Sequence, residues 1–207
     1  MKKLPVQNHN TELEEDKAYW RGLKNDDSDA LKELFTKYYD QLYFYGLKLL
    51  GKHDLVVDTI QDIFTALWEN RHKLAEVQYI KAYLFASLRN NILKPRPSNV
   101  LNNSEPSTVL NQGFHFDLSP EDIYLEEETN TENRRIIENL LKHLSPKQKE
   151  IIYLKFYNNY SNSEIGEILS IKHQSVANLL QRTINKLRNR KKLDNLYVVN
   201  MLITGLI

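Results

Sequence analysis

The chain has 207 residues, of which 41% are hydrophobic and 27% charged, which fits one large or two small globular domains. It contains no cysteine, which excludes a disulfide framework, thiolate chemistry and cysteine metal sites, and its six histidines lack the spacing of metal ligands. The net charge of +1 conceals segregation, since residues 98–133 carry eight acidic and no basic residues, whereas residues 134–192 carry 13 basic and four acidic ones.

Two helices are predicted at the start of the chain, and we find no convincing strand alternation. The opening MKKLPVQNHNTELEED turns polar and acidic after a few residues, so we expect no signal peptide. The first helix covers residues 12–23 and ends near Gly22. Asp27 or Ser28 can cap the second, which Gly51 ends. Its apolar residues predict a buried stripe: Leu31, Leu34, Phe35, Tyr38, Leu42 and Tyr45.

Residues 54–70 predict a third helix with two different faces. One face is an apolar stripe of Val56, Ile60, Ile63, Phe64 and Leu67. The other is a polar stripe of Asp58, Gln61, Asp62, Thr65 and Glu69, with Trp68 close by. A solvated face of an ordinary helix would look like this. A tryptophan beside carboxylates and an amide is also typical of a protein-docking surface, because aromatic anchors carry much interface energy.

A fourth helix is predicted over residues 79–93, and prolines set its end. Pro95 and Pro97 cannot continue a helix and push the residues before them toward extended backbone, so the helix should end near Leu93 or Lys94. Residues 95–119 are rich in Pro, Ser and Asn, and we expect a linker there.

Further helices are predicted after the linker. The run SPED at residues 119–122 has a capping serine, a proline for the first turn and acids near the positive helix end. The helix it begins runs through Ile136, Ile137, Leu140, Leu141 and Leu144. Ser145 and Gln148 form a capping box for the next helix. The apolar residues of that helix are Ile151, Ile152, Leu154 and Phe156.

Residues 161–190, SNSEIGEILSIKHQSVANLLQRTINKLRNR, predict two short helices joined by a tight turn. Ser161 and Glu164 make a capping box, Gly166 is small where two crossing helices must approach, and Ser170 sits at the turn. Apolar residues of the second helix continue at helical spacing: Val176, Leu179, Leu180, Ile184 and Leu187. This is the helix-turn-helix pattern, whose second helix lies in the DNA major groove.

A helical hairpin inside an α-helical core would share this apolar spacing. The polar positions favour DNA, because phosphates and base edges require such groups. These positions are Lys172, His173, Gln174, Asn178, Gln181 and Arg182. Two features depart from the pattern, since glycine is commoner than Ser170 at the turn and Lys172 is a poor N-cap.

Four segments in order resemble a bacterial sigma factor: LFTKYYDQLYFYGLKLL, DTIQDIFTALWENR, YIKAYLFASLRNNIL and LSPKQKEIIYLKFYNNYSNSEIGEILSI. The runs DxxQDxFxxLW and LSPxQ…YSxxEIxxIL occur in the right order and separation, which is more specific than either alone. The chain is similar, from about residue 15 to about residue 190, to the extracytoplasmic-function group of the sigma-70 family, which keeps only the second and fourth sigma regions.

The resemblance implies an all-α protein of two small helical domains joined by a flexible acidic linker. Region 2 would span residues 10–95, the linker 96–119, region 4 residues 120–192 and an apolar tail 193–207. The implied function is that of an alternative sigma factor, which binds RNA polymerase core and directs promoter-specific initiation. It would act in the cytoplasm, without catalysis, cofactor or stable membrane insertion. The implied partners are the polymerase core (clamp coiled coil and flap), promoter DNA and, where one exists, an anti-sigma factor.

The resemblance also implies three sets of site residues. The third helix would dock on the clamp coiled coil through Asp58, Gln61, Asp62 and Trp68. The minus-10 element would be recognised and opened, with unpaired bases stacked or held in a pocket, by Glu76, Val77, Gln78, Lys81, Tyr83, Arg89, Asn90 and Asn91. The minus-35 element would be bound by Lys172, His173, Gln174, Ser175, Asn178, Gln181, Arg182 and Lys186. Core packing is the alternative for Tyr83 and Phe85, and it is preferred for Phe85.

Two features depart from the family. Members usually extend the fourth helix with further basic residues, whereas this chain reads LKPRPSN, so duplex contact near the minus-10 element should be weak. The tail LDNLYVVNMLITGLI is unusually apolar and too short for a persuasive membrane span. We expect it to pack on the domain or to bind a protein partner.

A stand-alone helix-turn-helix regulator is the alternative function. Such a protein binds promoter DNA without polymerase, usually as a dimer on a palindrome. An enzyme has no support, since the sequence has no Gly-rich phosphate loop, no paired ligand histidines on a helix and no nucleophile elbow.

Overall fold

In a computed structural model of the chain, residues 9–94, 114–115 and 139–189 are described. These ranges contain helices and no strand, which confirms the predicted all-α fold. The chain divides into two compact units, residues 1–47 with 51–94 and residues 48–50 with 95–207. Within the described ranges, no helix is both long enough and apolar enough to cross a membrane, and no cluster of three or more metal-ligating side chains occurs.

The first unit contains α1 (His9–Lys24), α2 (Ser28–Leu50), α3 (His53–Glu69) and α4 (Ile80–Leu93), with a 3₁₀ turn at Arg71–Lys73. α1 begins three residues before its predicted start. Asp27 caps α2, as predicted, by accepting hydrogen bonds from the backbone N–H groups of Asp29 and Ala30. Gly51 ends α2 in left-handed backbone at φ 67°, a conformation that glycine adopts without steric penalty.

Apolar faces of the four helices form the core of the first unit. In the predicted α2 stripe, Leu34, Tyr38, Leu42 and Tyr45 are fully buried, whereas Leu31 and Phe35 are only half-buried. Phe35 lies at the rim, where its ring centroid is 5.0 Å from that of Phe64 in α3. The predicted α3 stripe is buried throughout. The two helices cross closely at Gly46, where an added Cβ would lie 2.6 Å from Val56 Cγ1.

A buried polar network, which the sequence analysis missed, ties α1 to α2. The Asp16 carboxylate is almost completely buried and accepts hydrogen bonds from Lys37 Nζ, at 2.7 Å, and from the Tyr38 hydroxyl. Lys37 also pairs with the exposed Glu15 at 2.7 Å. Burial, followed by the hydrogen bond to Asp16, raises the pKa of the Tyr38 hydroxyl far above its ordinary value. The phenol of Tyr38 therefore remains protonated and donates a hydrogen bond to Asp16.

The end of α4 agrees with the prediction from the prolines. α4 stops at Leu93, and Lys94 has extended backbone at φ −68° and ψ 130°, the geometry expected of a residue before proline. Pro95 and Pro97 themselves lie outside the described residues.

The described part of the second unit contains a helical stretch at residues 139–142, α5 (Pro146–Ile152), α6 (Asn162–Leu169) and α7 (His173–Asn189). α5 continues as a π-helical turn at Tyr153–Tyr157, which was not predicted. Both predicted capping boxes are confirmed, Ser145 with Gln148 and Ser161 with Glu164. The predicted helix start at residues 119–122, Ile136, Ile137, the linker and the apolar tail fall outside the described residues.

The turn between α6 and α7 has the predicted tight geometry. Ser170 adopts left-handed backbone at φ 53° and ψ 45°, which explains why glycine is commoner at this position. A Cβ added at Gly166 would lie 2.8 Å from the carbonyl oxygen of Ile171, so only glycine lets α6 approach the turn. The backbone carbonyl of Lys172 accepts the N–H groups of Ser175 (2.8 Å) and Val176 (3.1 Å), which begins α7.

Candidate nucleic-acid interface

α7 presents a continuous polar surface opposite its buried side. Val176, Leu180, Thr183 and Leu187 are buried, whereas Asn178, Gln181, Arg182 and Asn185 between them are exposed. Seven of the predicted minus-35 residues are exposed: Lys172, His173, Gln174, Ser175, Asn178, Gln181 and Arg182. The eighth, Lys186, is half-buried and its Nζ lies 3.4 Å from Gln148 Oε1 at the start of α5.

The buried stripe of α7 differs from the predicted one at three positions. Thr183 is completely buried, whereas Ile184 and Leu179, predicted as part of the stripe, are half-buried. The Thr183 hydroxyl donates to the carbonyl oxygen of Leu179 at 2.7 Å, which satisfies it inside its own helix and allows its burial. The basic residues that follow α7 in the sequence, Arg190, Lys191 and Lys192, lie outside the described residues.

The predicted docking face of α3 is polar and accessible. Asp58, Gln61 and Asp62 are exposed, and Trp68 is half-buried beside them. The Arg71 guanidinium, which the sequence analysis did not single out, lies 4.3 Å from the Trp68 ring centroid and donates to the Trp68 carbonyl oxygen at 2.7 Å.

Arg71 is itself held in place by Asp26, a residue of the turn between α1 and α2. Its Nε donates to Asp26 Oδ1 at 2.5 Å, and this hydrogen bond lowers the pKa of the Asp26 carboxyl. Asp26 has left-handed backbone at φ 67°. Trp68 is therefore supported, through Arg71, by a residue 42 positions earlier in the chain.

The loop before α4 and one side of α1 line an open pocket of about 390 Å³. The loop contributes the predicted minus-10 residues Glu76, Val77 and Gln78. α1 contributes four residues that the sequence analysis missed: Glu14, Lys17, Trp20 and Arg21. The volume is within the range of small-ligand pockets, about 300–1,000 Å³.

Two contacts from α1 hold this loop in place. The buried Trp20 donates its indole N–H to the carbonyl oxygen of Ala75 at 3.1 Å. Lys24 forms an ion pair with Glu76, and its hydrogen bond lowers the pKa of the Glu76 carboxyl. Glu76 is thus an ionised acceptor at the pocket, suited to an exocyclic amino group of a base.

The predicted α4 positions fall into two places. Tyr83 is half-buried with its ring centroid 5.3 Å from that of Trp20, which puts it beside the wall of the pocket. Asn90 and Asn91 are exposed near the far end of α4, roughly 10 Å along the helix from Tyr83 at 1.5 Å per residue. Lys81 and Arg89 are half-buried, and Phe85 is completely buried, which confirms the core-packing interpretation for Phe85.

Comparisons with known proteins cover both units. Residues 34–95 match the family model described as "Sigma-70 region 2", and residues 134–187 match "Sigma-70, region 4". The chain is 24% identical over 159 residues to the ECF RNA polymerase sigma factor SigL of Mycobacterium tuberculosis, covering 76% of this chain and 86% of the relative. It is 26% identical over 177 residues to the ECF RNA polymerase sigma factor SigW of Bacillus subtilis, covering 81% and 92%.

A solved structure shares the fold. The structure of CnrH in complex with the cytosolic domain of CnrY aligns with a TM-score of 0.52 at 17% identity, over 84% of this chain and 96% of that chain. At this identity, the likeness shows the fold alone.

Proposed function

The chain belongs to the extracytoplasmic-function group of the sigma-70 family, and we propose that each of its three candidate surfaces binds a different partner during initiation. It is an alternative sigma factor that binds RNA polymerase core and promoter DNA and directs transcription initiation. Within this function, we assign α3 to the polymerase clamp, the pocket beside α4 to the minus-10 element and α7 to the minus-35 element.

The proposal extends to domains, location and partners. Residues 10–95 would act as region 2 and residues 120–192 as region 4, joined by the linker 96–119, in the cytoplasm and without catalysis. An anti-sigma protein is proposed as a further partner, since CnrH was solved in complex with the cytosolic domain of CnrY.

The exposed polar face of α7 is the observation that carries the minus-35 assignment. Asn178, Gln181 and Arg182 project from one side of a helix whose other side is buried in its domain. Side-chain amides and guanidinium groups form paired hydrogen bonds with adenine and guanine in the major groove. A helix with this face can discriminate bases.

Replacing Arg182 by alanine is expected to relax base preference at one minus-35 position. A bidentate arginine–guanine contact supplies about 1–3 kcal/mol of discrimination. The ratio of affinities for the preferred base and the other bases should therefore fall roughly five- to 150-fold. The measurement is binding of the complete chain to a panel of single-base minus-35 duplexes at fixed salt.

Lys186→Ala is the control for this substitution. As a phosphate contact it should weaken all the duplexes alike and lower the salt dependence of binding. Unchanged base preference for Arg182→Ala, Asn178→Ala and Gln181→Ala together would remove the assignment.

The pocket formed by α1 and the loop before α4 supports the minus-10 assignment. An unpaired base can enter a pocket that offers polar edges, from Glu76 and Gln78, and a cationic rim, from Lys17 and Arg21. α4 ends at Leu93, without a further basic turn, so promoter melting should depend on this pocket more than on the duplex upstream of it.

Trp20→Phe is expected to impair promoter opening while leaving binding to polymerase core unchanged. Phenylalanine keeps the aromatic packing but removes the donor to the Ala75 carbonyl, which loosens the loop. Loss of one such hydrogen bond is worth about 1 kcal/mol, roughly a fivefold change in an equilibrium. Open-complex formation on a promoter, measured with saturating core enzyme, reports it.

Tyr19→Phe is the matched control, because the Tyr19 hydroxyl bonds only weakly to the exposed Glu15, at 3.4 Å, and does not line the pocket. Equal open-complex formation in Trp20→Phe and wild type would mean that the indole does not position the loop for melting.

Run-off transcription with added core enzyme tests the function as a whole. Binding of the chain to promoter DNA without any binding to polymerase core would favour the stand-alone regulator instead.

A further inference from the structure

One oxygen of the Glu76 carboxylate is occupied and the other is open. Lys24 Nζ donates a hydrogen bond to Glu76 Oε1, and among the described residues Glu76 Oε2 accepts none. The Glu76 side chain lines the pocket beside α1 and is 77% exposed, whereas that of Lys24 is only 25% exposed. The hydrogen bond from Lys24, and after it the charges of Lys24 and Arg21, lower the pKa of the Glu76 carboxyl. The carboxylate is therefore ionised, and it offers the pocket one accessible acceptor oxygen.

α1 holds this carboxylate from the end of the helix. Lys24 is the last residue of α1, where the negative end of a helix stabilises a cation. One turn earlier, Trp20 donates to the carbonyl oxygen of Ala75, the residue before Glu76. Two successive turns of α1 thus hold two successive residues of the loop. α1 lies before residues 34–95, the segment that matches the region 2 model, so this contact comes from outside that segment.

The four unpaired bases differ in how they can meet a carboxylate. Cytosine and adenine present one amino group beside a ring nitrogen that accepts a hydrogen bond, whereas guanine presents a ring N–H and an amino group side by side. A carboxylate with two open oxygens can accept both donors of guanine in a two-bond fork. With one oxygen occupied, it satisfies a single amino group but leaves one donor of guanine without an acceptor, which is costly away from water.

The remaining lining of the pocket fits the same two bases. Arg21 and Gln78 carry N–H donors that can reach a ring nitrogen beside the amino group. Arg21 Nε already donates to the carbonyl oxygen of Lys17 at 3.2 Å, which fixes the start of the guanidinium group. Thymine fits poorly, because its ring N–H lies between two carbonyl oxygens that a carboxylate repels.

We propose that Lys24 is a positioning residue that sets the base preference of the candidate minus-10 pocket. By occupying one oxygen of Glu76, it makes the pocket select an unpaired base with a single amino donor, cytosine or adenine, over guanine and thymine. Lys24 acts through Glu76 and need not touch the base. The inference rests on the proposed minus-10 role of the pocket.

Base preference is measured with the complete chain bound to polymerase core. The probes are fork DNAs, duplexes that end in an unpaired non-template strand, with the unpaired bases first randomised for selection and then varied singly. The position read by the pocket is the one whose base preference Glu76→Ala abolishes. At that position, the parent chain should bind cytosine or adenine about tenfold better than guanine and thymine, and the single-base probes tell which of the two bases it prefers.

Lys24→Met keeps the length of the side chain but removes its ammonium group, which opens both oxygens of Glu76. The affinity for guanine, relative to that for the preferred amino base, should rise about tenfold, and thymine should stay disfavoured. A lysine that only stiffened the loop or attracted DNA would change the affinity for all four bases alike. A uniform loss without a gain for guanine would therefore overturn the proposal.

Two further variants test whether Lys24 acts through Glu76. In the Glu76→Ala background, adding Lys24→Met should leave the base ratios unchanged, because the carboxylate that Lys24 positions is gone. Lys32→Met, which changes an exposed lysine of α2 outside the pocket lining, should keep the base ratios of the parent chain. Parental ratios in Lys24→Met, or the same gain for guanine in the Glu76→Ala background, would overturn the proposal.

Failure of this inference is distinguishable from failure of the minus-10 role itself. A parent chain that prefers guanine or thymine, or whose base preferences Glu76→Ala leaves intact at every position, would overturn the inference about Lys24. If Trp20→Phe still impairs promoter opening in that case, the pocket keeps its role in melting. If Trp20→Phe has no effect on opening either, the minus-10 role of the pocket fails together with the inference.

Discussion

Replacing Asp62 by lysine is expected to reduce affinity for RNA polymerase core by roughly 30-fold or more while leaving the fold intact. The carboxylate is exposed on α3, opposite a fully buried apolar stripe, so the charge reversal has no packing consequence. Loss of one hot-spot residue at the centre of an interface costs about 2 kcal/mol or more, and like charges across an interface add repulsion. Titration of core enzyme with labelled protein measures the affinity, and thermal melting reports the fold.

The same experiment with Trp68→Ala should give a loss of similar size, because Trp68 is the aromatic residue of the proposed docking face. Asp40→Lys is the matched control, since Asp40 is an exposed acid on α2 outside the assigned face. Wild-type affinity in both Asp62→Lys and Trp68→Ala would make the polar stripe an ordinary solvated helix face. A loss in Asp40→Lys equal to that in Asp62→Lys would point to a general electrostatic effect.

Replacing Asp16 by alanine is expected to destabilise the first unit by about 3–5 kcal/mol. Breaking a buried charged network by removing one partner costs this much, because the remaining polar groups lose their partner away from water. Here the completely buried Tyr38 hydroxyl and the Lys37 ammonium lose the carboxylate that holds them. The expected loss is a large part of the 5–15 kcal/mol that typically keeps a domain folded, and urea unfolding at neutral pH measures it.

Glu14→Ala is the comparison for this substitution, since Glu14 pairs with Lys17 at 2.9 Å on the surface. Exposed pairs contribute about 0–1 kcal/mol, so the difference between the two variants isolates the effect of burial. Asp16→Asn should lie between them, because the amide still accepts from Tyr38 but no longer neutralises Lys37. A loss below 1 kcal/mol in Asp16→Ala would show that water or Glu15 replaces the carboxylate.

Features that are local in the chain could be predicted from the sequence. The capping boxes at Ser145 and Ser161, the turn at Ser170 and the end of α4 each depend on residues within four positions of one another. The buried stripe of α3 followed from periodicity alone, because the helix repeat determines which positions share a face.

Contacts between distant segments could not be predicted in the same way. Asp16 meets Tyr38 across 22 positions, Trp20 meets Ala75 across 55, and Asp26 meets Arg71 across 45. Periodicity identifies a face but does not identify the residue of another helix that lies against it. For this reason α1 was predicted only as a helix, although it forms one wall of the candidate minus-10 pocket. Thr183 was missed because its hydroxyl is satisfied within α7, which a polar residue type does not reveal.

Two structural requirements conflict at position 26, where Asp26 has left-handed backbone and also holds Arg71. At φ 67° a glycine would relieve the strain that a side chain introduces there. The same glycine would remove the carboxylate that holds Arg71 beneath Trp68. A relaxed turn therefore favours glycine at position 26, whereas a fixed position for the Trp68 ring favours aspartate. With aspartate, the chain keeps Arg71 against the Trp68 ring and retains the left-handed backbone of the turn.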